Sequence, residues 1–329
     1  MTIKTKYIMI LKKITFVLSV SAILLSAAAC KQNNNSIEKS AGSKTTDNES
    51  AYMEKVRSNA STFHQNFSSG SFEKNGPLVD ENIYVNSNNA IVIGRDAFVQ
   101  RIKRFHTPFP HLNLRDRIVI VDGDQVGLLY IMQDKQDGPY GEIPASGNKI
   151  NVYAAEFFTM NEDALMKELL TITQLDQLKK QITGKDKVEE FEKVTLLPIK
   201  PTSVDFKKLT KKTMDNYVQY FNTRNWTALE AMFATDANIK INGTSYKGTA
   251  ALITDMKKLI EKVPNVTYHL IRNVAEGDRG AIAYEVNGTV KKGSIQDVKQ
   301  GVHFQFDDQG KIISSVVVFN SEDFENQLK

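Results

Sequence analysis

Aromatic residues at regular spacing are the side chains of this sequence best suited to forming a pocket. Tyr217, Tyr220 and Trp226 recur at near-helical intervals, and Tyr284 alternates with apolar residues as on one face of a strand. Such residues either pack as plain core or form a pocket wall whose phenol groups hydrogen-bond a ligand. We expect a wall of this kind to include also Phe304 and, as weaker counterparts earlier in the chain, Tyr84, Tyr130 and Tyr153.

Metal binding and phosphate binding lack the residue patterns that they require. The histidines show neither His-x-His nor His-x-x-x-His spacing, and the chain has a single cysteine. A Gly-rich phosphate loop and a Gly-x-Ser-x-Gly motif are both missing from the sequence. We therefore predict no metal site and no cofactor.

Composition and charge are those of a globular protein and argue against a nucleic-acid-binding surface. The 329 residues are 41% hydrophobic and 24% charged, and the length suits two domains of ordinary size. Four of the 42 basic residues lie in the first 29 residues, which contain no acid. The remainder has 38 basic and 38 acidic residues, so we expect no nucleic-acid partner.

The N-terminus has the pattern of an export signal followed by a lipid-attachment site. Residues 1–13 carry four lysines, residues 14–25 form a short apolar run, and small residues precede Cys30. The stretch resembles the lipobox of bacterial lipoproteins, which implies lipidation of Cys30, a membrane anchor and a location in the cell envelope. A plain signal peptide with an incidental cysteine is the alternative. We predict a signal peptide over residues 1–29 and a disordered tether over residues 30–50, which have almost no large apolar side chains.

An internal repeat divides the rest of the chain. Three turn or helix-boundary markers return 154 residues later; the pairs are Gly94 and Gly248, Pro110 and Pro264, and Gly123 and Gly277. We therefore predict two copies of one domain, here called domain 1 (residues 51–184) and domain 2 (residues 205–329). A linker of mixed charge, residues 185–204, joins them.

Both domains show helical periodicity first and strand periodicity afterwards. In domain 2, Phe206–Phe221 and Ala250–Lys262 are amphipathic at helical spacing, and four apolar strand segments follow between residues 266 and 319. Domain 1 repeats this order, from a helix over Tyr52–Phe67 to a strand over Ala164–Ile172. Helices followed by a run of antiparallel strands predict an α+β fold with the helices on one face of the sheet.

Several of these segments resemble a known superfamily. Residues 217–222 (YVQYFN), 225–229 (NWTAL) and 301–304 (GVHF) resemble the opening and closing stretches of the nuclear transport factor 2-like superfamily. In domain 1, residues 109–112 (FPHL) and 143–147 (IPASG) resemble motifs of its SnoaL-like polyketide cyclase (ester cyclase) branch. The resemblance implies two tandem cone-shaped domains, each with three N-terminal helices packed on a curved antiparallel sheet around an apolar pocket.

For domain 2, the resemblance implies a pocket without acid–base groups. The steroid-isomerase members of the superfamily use a tyrosine where Tyr217 stands and two acids at the positions of Ile241 and Val302. Because a carbon acid must lose its proton to a base, the absence of both acids argues against that chemistry here.

For domain 1, the resemblance implies acids near the last strand. The cyclase branch carries a Glu-x-Trp-x-x-x-Asp pattern there, whose first residue matches Glu168, while Gln174 replaces the aspartate. A Gln side chain does not exchange a proton near neutral pH. Catalysis in domain 1 would therefore depend on Glu168 or on Asp176, and Gln174 is expected only to contact a ligand.

These observations favour an exported, membrane-anchored lipoprotein that binds a small apolar molecule or another protein without catalysis. The alternative is a SnoaL-like enzyme, a cyclase, hydratase or hydrolase, that acts through Glu168 or Asp176. The two domains are expected to pair within one chain, or the chain to form a homodimer. A carboxylate buried in either pocket beside a tyrosine hydroxyl would reverse the order of the two functional hypotheses.

Overall fold

The structure is a computed structural model that describes residues 38–290 and 293–328, with side chains from residue 48 onward. The predicted signal peptide, Cys30 and residues 31–37 lie outside the described residues. The described residues from 45 onward form one compact unit, which contains both predicted domains. Within the described residues, no helix combines the length and the apolarity needed to cross a membrane.

Domain 1 has a long first helix, a short last helix and six strands between them. The first helix forms because Val56, Ala60, Phe63 and Phe67 recur every three or four residues and bury one stripe against the sheet. The elements in chain order are α1 (Glu38–Ser68), a 3-10 helix (Phe72–Leu78), β1 (Val79–Ser87), β2 (Ala90–Ile93), α2 (Arg95–Lys103), a 3-10 turn (Arg104–His106), β3 (Asn113–Asp122), β4 (Gln125–Lys135), β5 (Lys149–Met160), β6 (Met166–Thr173) and α3 (Leu175–Ile182).

Helix α1 begins inside the segment that the sequence predicted as a disordered tether. Residues 38–50 are helical, and their C-terminal part, residues 48–50, is exposed. No proline interrupts this stretch, so the backbone can continue the helix that begins at Glu38.

Domain 2 repeats the order of domain 1. Ser203 caps its first helix by accepting a hydrogen bond from Phe206 N, and Asn225 caps the second by accepting one from Ala228 N. The elements are α4 (Val204–Asn222), α5 (Trp226–Ala231), β7 (Phe233–Ile241), β8 (Thr244–Lys247), α6 (Ala250–Lys262), β9 (Thr267–Glu276), β10 (Arg279–Asn287), β11 (Thr289–Val290), β12 (Gly293–Ser294), β13 (Val298–Phe306), β14 (Ile312–Val318) and α7 (Ser321–Leu328).

The two main sheets have the same topology. Their strand orders are β2-β1-β6-β5-β4-β3 and β8-β7-β14-β13-β10-β9. The pairings are antiparallel except for β1 with β6 and β7 with β14, which are parallel and join the first strand of each sheet to its last one in chain order. The predicted α+β fold of two tandem domains, each with helices preceding its sheet, is confirmed.

Strand register makes the repeat exact enough to compare single positions. Leu128 pairs with Glu156 in domain 1, and Ile282 pairs with Val302 in domain 2. Equivalent residues therefore differ by 154 in number up to β4 and β10, and by 146 in the last two strands. The offset changes because the β4–β5 connection is longer than the β10–β13 connection.

The outer faces of the two sheets pack on each other and form a core between the domains. A Cβ atom at Gly127 would lie 2.8 Å from Ala281 Cβ, and one at Gly301 would lie 2.8 Å from Ala155 Cβ. In each contact a glycine of one domain faces the alanine at the equivalent position of the other, as across a two-fold axis. The apolar residues of this core include Ile120, Leu129, Ile131, Phe157, Leu170, Ile172, Val274 and Val318.

Ion pairs at the edge of this contact follow the same approximate symmetry. Arg57 on α1 pairs with Glu276 at the end of β9, and Lys211 on α4 pairs with Asp122 at the end of β3, at 2.7 Å. These four residues are equivalent in pairs, since Lys211 corresponds to Arg57 and Glu276 to Asp122. Each first helix is thereby tied to the sheet of the other domain.

Candidate functional site

Each domain encloses a cavity between its first helices and the inner face of its sheet. The cavity of domain 1 has a volume of about 70 Å³ and a mostly aromatic wall. One carboxylate, that of Glu156, belongs to its lining. The other lining residues include Phe63, Phe67, Val85, Phe98, Arg101, Ile102, Phe105, Phe109, Leu114, Tyr130, Met132, Tyr140, Leu169, Thr171, Thr173 and Leu178.

Glu156 belongs to a buried row of charged side chains. His64 on α1 lies between two carboxylates: its Nδ1 is 2.6 Å from Asp116 Oδ1 and its Nε2 is 3.0 Å from Glu156 Oε2. The His64 and Glu156 side chains are buried, and Asp116 is more accessible. Because both ring nitrogens face carboxylate oxygens, the imidazole fits this place as a cation that donates two hydrogen bonds.

Two hydroxyl groups complete the surroundings of Glu156. Tyr130 Oη and Thr171 Oγ1 each donate a hydrogen bond of 3.0 Å to Glu156 Oε1. Together with His64, the carboxylate accepts three hydrogen bonds from three different elements, α1, β4 and β6. A carboxylate offers about four acceptor sites, so one remains for a bound molecule.

The pKa values of the donors follow from this burial and charge. Burial alone would lower the pKa of His64, but Asp116 and Glu156 outweigh it and raise that pKa to about 10. Burial, reinforced by the charge of Glu156, holds the pKa of Tyr130 well above its ordinary value. At neutral pH, His64 is therefore a cation and Tyr130 a neutral donor.

Strand pairing explains why these side chains meet. Asp116 lies opposite Tyr130, and Glu156 lies opposite Thr171, so all four point to the inner face of the sheet. His64 follows Phe63 on the stripe of α1 that packs onto this face. The cluster thus joins one helix to four neighbouring strands.

The cavity of domain 2 is larger and nearly apolar. Its volume is about 150 Å³, and its lining includes Tyr217, Tyr268, Tyr284, Gln300, Ile241, Leu252, Met256, Leu259, Val317 and Phe319. Tyr284 Oη donates to Gln300 Oε1 at 2.8 Å, and the rings of Tyr268 and Tyr284 stack at 4.3 Å. Burial raises the pKa of all three tyrosines, so they are neutral hydroxyl groups.

A carboxylate does occur at the rim of the domain 2 cavity, on α6. This is Asp255, which is exposed and pairs with Lys258 at 3.4 Å. The residues of domain 2 that are equivalent to the buried cluster of domain 1 are apolar apart from the tyrosine. Val218 stands for His64, Leu270 for Asp116, Tyr284 for Tyr130, Val302 for Glu156 and Val317 for Thr171.

The two acids that the sequence predicted as catalytic do not reach either cavity, and this prediction is corrected. Glu168 lies on the outer face of β6, where it pairs with Arg272 of domain 2 at 2.6 Å. It is one residue away from Leu169, which faces the cavity, and neighbouring strand residues point to opposite faces. Asp176 lies on α3, accepts a hydrogen bond from Ser321 of domain 2 and lies 3.5 Å from Lys180 Nζ.

Three predicted ligand-binding residues of domain 1 also lie outside its cavity. Tyr84 is exposed on the face of β1 opposite to the cavity-lining Val85. Tyr153 points into the core between the sheets, where its hydroxyl donates to Glu192 and accepts from Lys240 Nζ at 2.7 Å. Gln174 donates to Asn242 Oδ1 of domain 2 at 3.1 Å. In each case, the residue lies at a strand or strand-end position whose side chain points away from the inner face of the sheet.

The remaining aromatic residues divide between cavity wall and core. Tyr130, Tyr217 and Tyr284 line cavities, as expected. The other three residues that the sequence predicted for a wall pack in the core of domain 2 outside the lining of its cavity. They are Tyr220, Trp226 and Phe304.

The sequence pattern does not single out Glu156 as a site residue, and it presents His64 only as a possible metal ligand. Glu156 is the only charged residue between Val152 and Met160, within an otherwise apolar strand. His64 is the polar member of the buried stripe of α1. A charged residue isolated in a buried apolar segment is the signal that could have identified both. Within residues 48–290 and 293–328, no group of three or more acidic, His or Cys side chains is arranged to hold a metal ion.

Two family models match the chain, one in each domain. The model described as SnoaL-like polyketide cyclase matches residues 58–180, and the model described as SnoaL-like domain matches residues 214–315. No curated protein gives a significant match.

Solved structures resemble this chain over the length of one domain. A candidate SnoaL-like polyketide cyclase from Jannaschia sp. CCS1 is 19% identical with a TM-score of 0.38, and the match covers 40% of this chain and 94% of that one. A candidate polyketide cyclase from Xanthomonas campestris is 17% identical with a TM-score of 0.38, covering 40% of this chain and 98% of that one. TsrD from Streptomyces laurentii is 20% identical with a TM-score of 0.36, covering 39% of this chain and 94% of that one. On the two family models, the chain carries two SnoaL-like domains in tandem, both of the nuclear transport factor 2-like superfamily.

Proposed function

We propose that domain 1 is an acid–base enzyme in which Glu156 exchanges a proton with a small, largely apolar substrate. The observation that carries the proposal is the Glu156 carboxylate, which lines an aromatic cavity beside the hydroxyl group of Tyr130. A buried carboxylate held beside a proton donor is the arrangement that general acid–base catalysis requires. This reverses the preference for a non-catalytic protein that the sequence alone supports.

A purely structural role for the cluster is the main alternative, and domain 2 argues against it. The same fold is built there with Val218, Leu270, Val302 and Val317 at the equivalent positions. Buried ion pairs contribute little net stability, because removing each ion from water costs on the order of several kcal/mol. A cluster that the fold does not need, and that costs desolvation, fits a role in chemistry better.

The neighbours of Glu156 have supporting roles in this proposal. His64, Tyr130 and Thr171 fix the orientation of the carboxylate, and Asp116 balances part of the charge of His64. A carboxylate so held can take a proton from a carbon next to a carbonyl group, or from a water molecule that attacks an ester. The reaction class is therefore that of a cyclase, hydratase or hydrolase, which agrees with the polyketide cyclase family model matched by domain 1.

The volume of the cavity limits the size of the substrate group that can react at Glu156. A volume of about 70 Å³ is roughly that of two molecules of liquid water. Only a small group reaches Glu156 unless the aromatic wall moves, so the bulk of a larger substrate would remain nearer the opening.

For domain 2, we propose binding or support without catalysis. Its cavity has tyrosine and glutamine side chains but no buried carboxylate among its lining residues. For the whole chain, we retain attachment to a membrane of the cell envelope through a lipidated Cys30, which rests on the N-terminal sequence pattern.

Proton exchange provides the test of the enzyme proposal. The full-length protein is incubated in D2O with a panel of small esters and ketones, and hydrolysis and α-deuterium incorporation are followed by NMR. Glu156→Gln keeps the shape of the side chain but removes its proton exchange, so we expect the rate to fall by about 10²- to 10⁴-fold.

Glu168→Gln is the matched control, because it changes a carboxylate on the opposite face of the same sheet. We expect this variant to keep the wild-type rate. Equal rates for wild type and Glu156→Gln, with both proteins folded, would exclude Glu156 as the acid–base group.

A further inference from the structure

The opening of the domain 1 cavity has a cationic side chain without a partner. Arg101 on α2 lines the cavity, and together with Phe105 and Tyr140 it also lines an outer depression of about 440 Å³. Because the same three residues line both spaces, the depression adjoins the cavity, and we call it the entrance. Arg101 lies where the depression meets the cavity that Glu156 lines.

Arg101 is unusual among the charged residues of domain 1. Its Nε atom is buried and has no hydrogen-bond partner, and the guanidinium group makes no ion pair with any residue in the described part of the chain. Two other arginines of domain 1 are paired with carboxylates, Arg57 with Glu276 and Arg117 with Glu192. A partly buried guanidinium without a counter-charge has given up hydration without compensation.

The lining of the entrance adds positive charge and no negative charge. Arg104 is the second charged residue there, and no Asp or Glu belongs to the lining. In domain 2 the position equivalent to Arg101 is Asp255, which also lines the cavity of its domain. This position of the helix therefore tolerates either a positive or a negative side chain, and packing of the fold does not require an arginine here.

We propose that Arg101 binds the carboxylate group of the ligand of domain 1. The ligand would have a small apolar group in the cavity and an anionic group at the entrance, where the planar guanidinium donates two parallel hydrogen bonds. This inference rests on the proposed function only in that both place the ligand in the same cavity. It concerns recognition, whereas Glu156 concerns proton exchange.

Three probes of nearly equal shape, each with an apolar part small enough for the cavity, test the charge preference: butyrate, butanamide and butylamine. Their binding to the full-length protein is measured by calorimetry or by ligand-observed NMR. We expect the carboxylate to bind about tenfold or more tightly than the amide, and the amine most weakly, because a charge-assisted hydrogen-bond pair contributes about 1.5 kcal/mol or more. The preference for the carboxylate should decrease as salt concentration rises.

Two substitutions assign the preference to Arg101. Arg101→Gln should lower carboxylate affinity to that of the amide and leave amide affinity unchanged. Arg104→Gln, the exposed neighbour, should change the ratio less than threefold, since exposed charges contribute about 1 kcal/mol or less. If Arg101→Gln unfolds, Arg101→Lys replaces it and should keep the charge preference in reduced form.

Equal binding of carboxylate and amide by the wild type, or an unchanged ratio in Arg101→Gln, would overturn the inference; so would the absence of binding by all three probes. The outcome is separable from that of the enzyme proposal. A carboxylate preference that depends on Arg101, together with full activity of Glu156→Gln, would leave recognition standing and exclude the catalytic role.

Discussion

Glu156 of domain 1 and Val302 of domain 2 occupy equivalent positions of equivalent strands. Glu156 pairs with Leu128, two residues before Tyr130, and Val302 pairs with Ile282, two residues before Tyr284. One sequence thus contains the same cavity twice, once with a buried carboxylate and once without. The comparison separates what the fold requires from what the first cavity adds to it.

Removing His64 alone should be strongly destabilising. His64→Val introduces the residue found in domain 2 but leaves the carboxylates of Asp116 and Glu156 without their shared cation. We expect the free energy of unfolding, measured with urea, to fall by about 3–5 kcal/mol. His269→Val, at an exposed strand position, is the control and should change it by about 0.5 kcal/mol or less. A change of similar size in both variants would mean that the buried row carries little interaction energy.

The pH dependence of stability should show His64 separately. Its pKa is raised from 6.5 to about 10 in the folded protein, so the folded state binds the proton more tightly than the unfolded state. Its contribution is fully present below about pH 6.5 and is lost as pH rises toward 10. Melting temperatures between pH 6.5 and 9.5 should therefore decrease in the wild type and decrease less in His64→Gln. Parallel curves for the two proteins would contradict the assignment of His64 as a buried cation.

The repeat and the order of elements could be predicted from sequence because they depend on local signals. Turn markers such as Gly123 and Gly277 and the helical stripe of α1 are visible without knowledge of any partner strand. The site depends on which face each strand residue takes, and a shift of one residue reverses every side chain. This is why the sequence placed Glu168 at the pocket, whereas its neighbour Leu169 and Thr171 are the residues that face the cavity.

Glu156 and His64 escaped prediction for a related reason. Strand β5 is apolar on both faces, because one face lines the cavity and the other packs against domain 2, so its sequence shows no alternation. The contact between the sheets, which makes the outer face apolar, is a long-range feature. His64 lies beside Phe63 on the buried stripe, and its two partners are 52 and 92 residues away in sequence.

A carboxylate introduced into the core of domain 2 should destabilise the fold, although domain 1 accommodates one at the equivalent position. Val302→Glu places a carboxylate at the buried position equivalent to Glu156, where Val218 and Val317 replace its partners His64 and Thr171. We expect the free energy of unfolding to fall by about 3–5 kcal/mol, because a buried charge without a partner is costly. Val302→Ile should cost about 1.5 kcal/mol or less. Wild-type stability for Val302→Glu would show that this position accepts a charge without the cluster, and would weaken the comparison between domains.

The close contact between the two sheets predicts that a larger side chain at Gly127 lowers the stability of the protein. Gly127→Ala places a Cβ atom 2.8 Å from Ala281 Cβ, so the sheets must shift, at a cost of about 1–3 kcal/mol. Adding Ala281→Gly exchanges the two residues across the approximate two-fold axis and should recover most of this loss. If the double variant is no more stable than Gly127→Ala, the close approach of these two positions is not what limits the substitution.

The most direct test exchanges the whole cluster for its domain 2 counterpart: His64→Val, Asp116→Leu, Glu156→Val and Thr171→Val together. Turnover is measured on this fourfold variant after its unfolding free energy has been compared with that of His64→Val. We expect a folded protein that is more stable than the single variant, because replacing a complete buried ion cluster by apolar residues is often neutral. We also expect its turnover to equal the uncatalysed rate. A folded fourfold variant that retains wild-type turnover would contradict the claim that the cluster is present for chemistry.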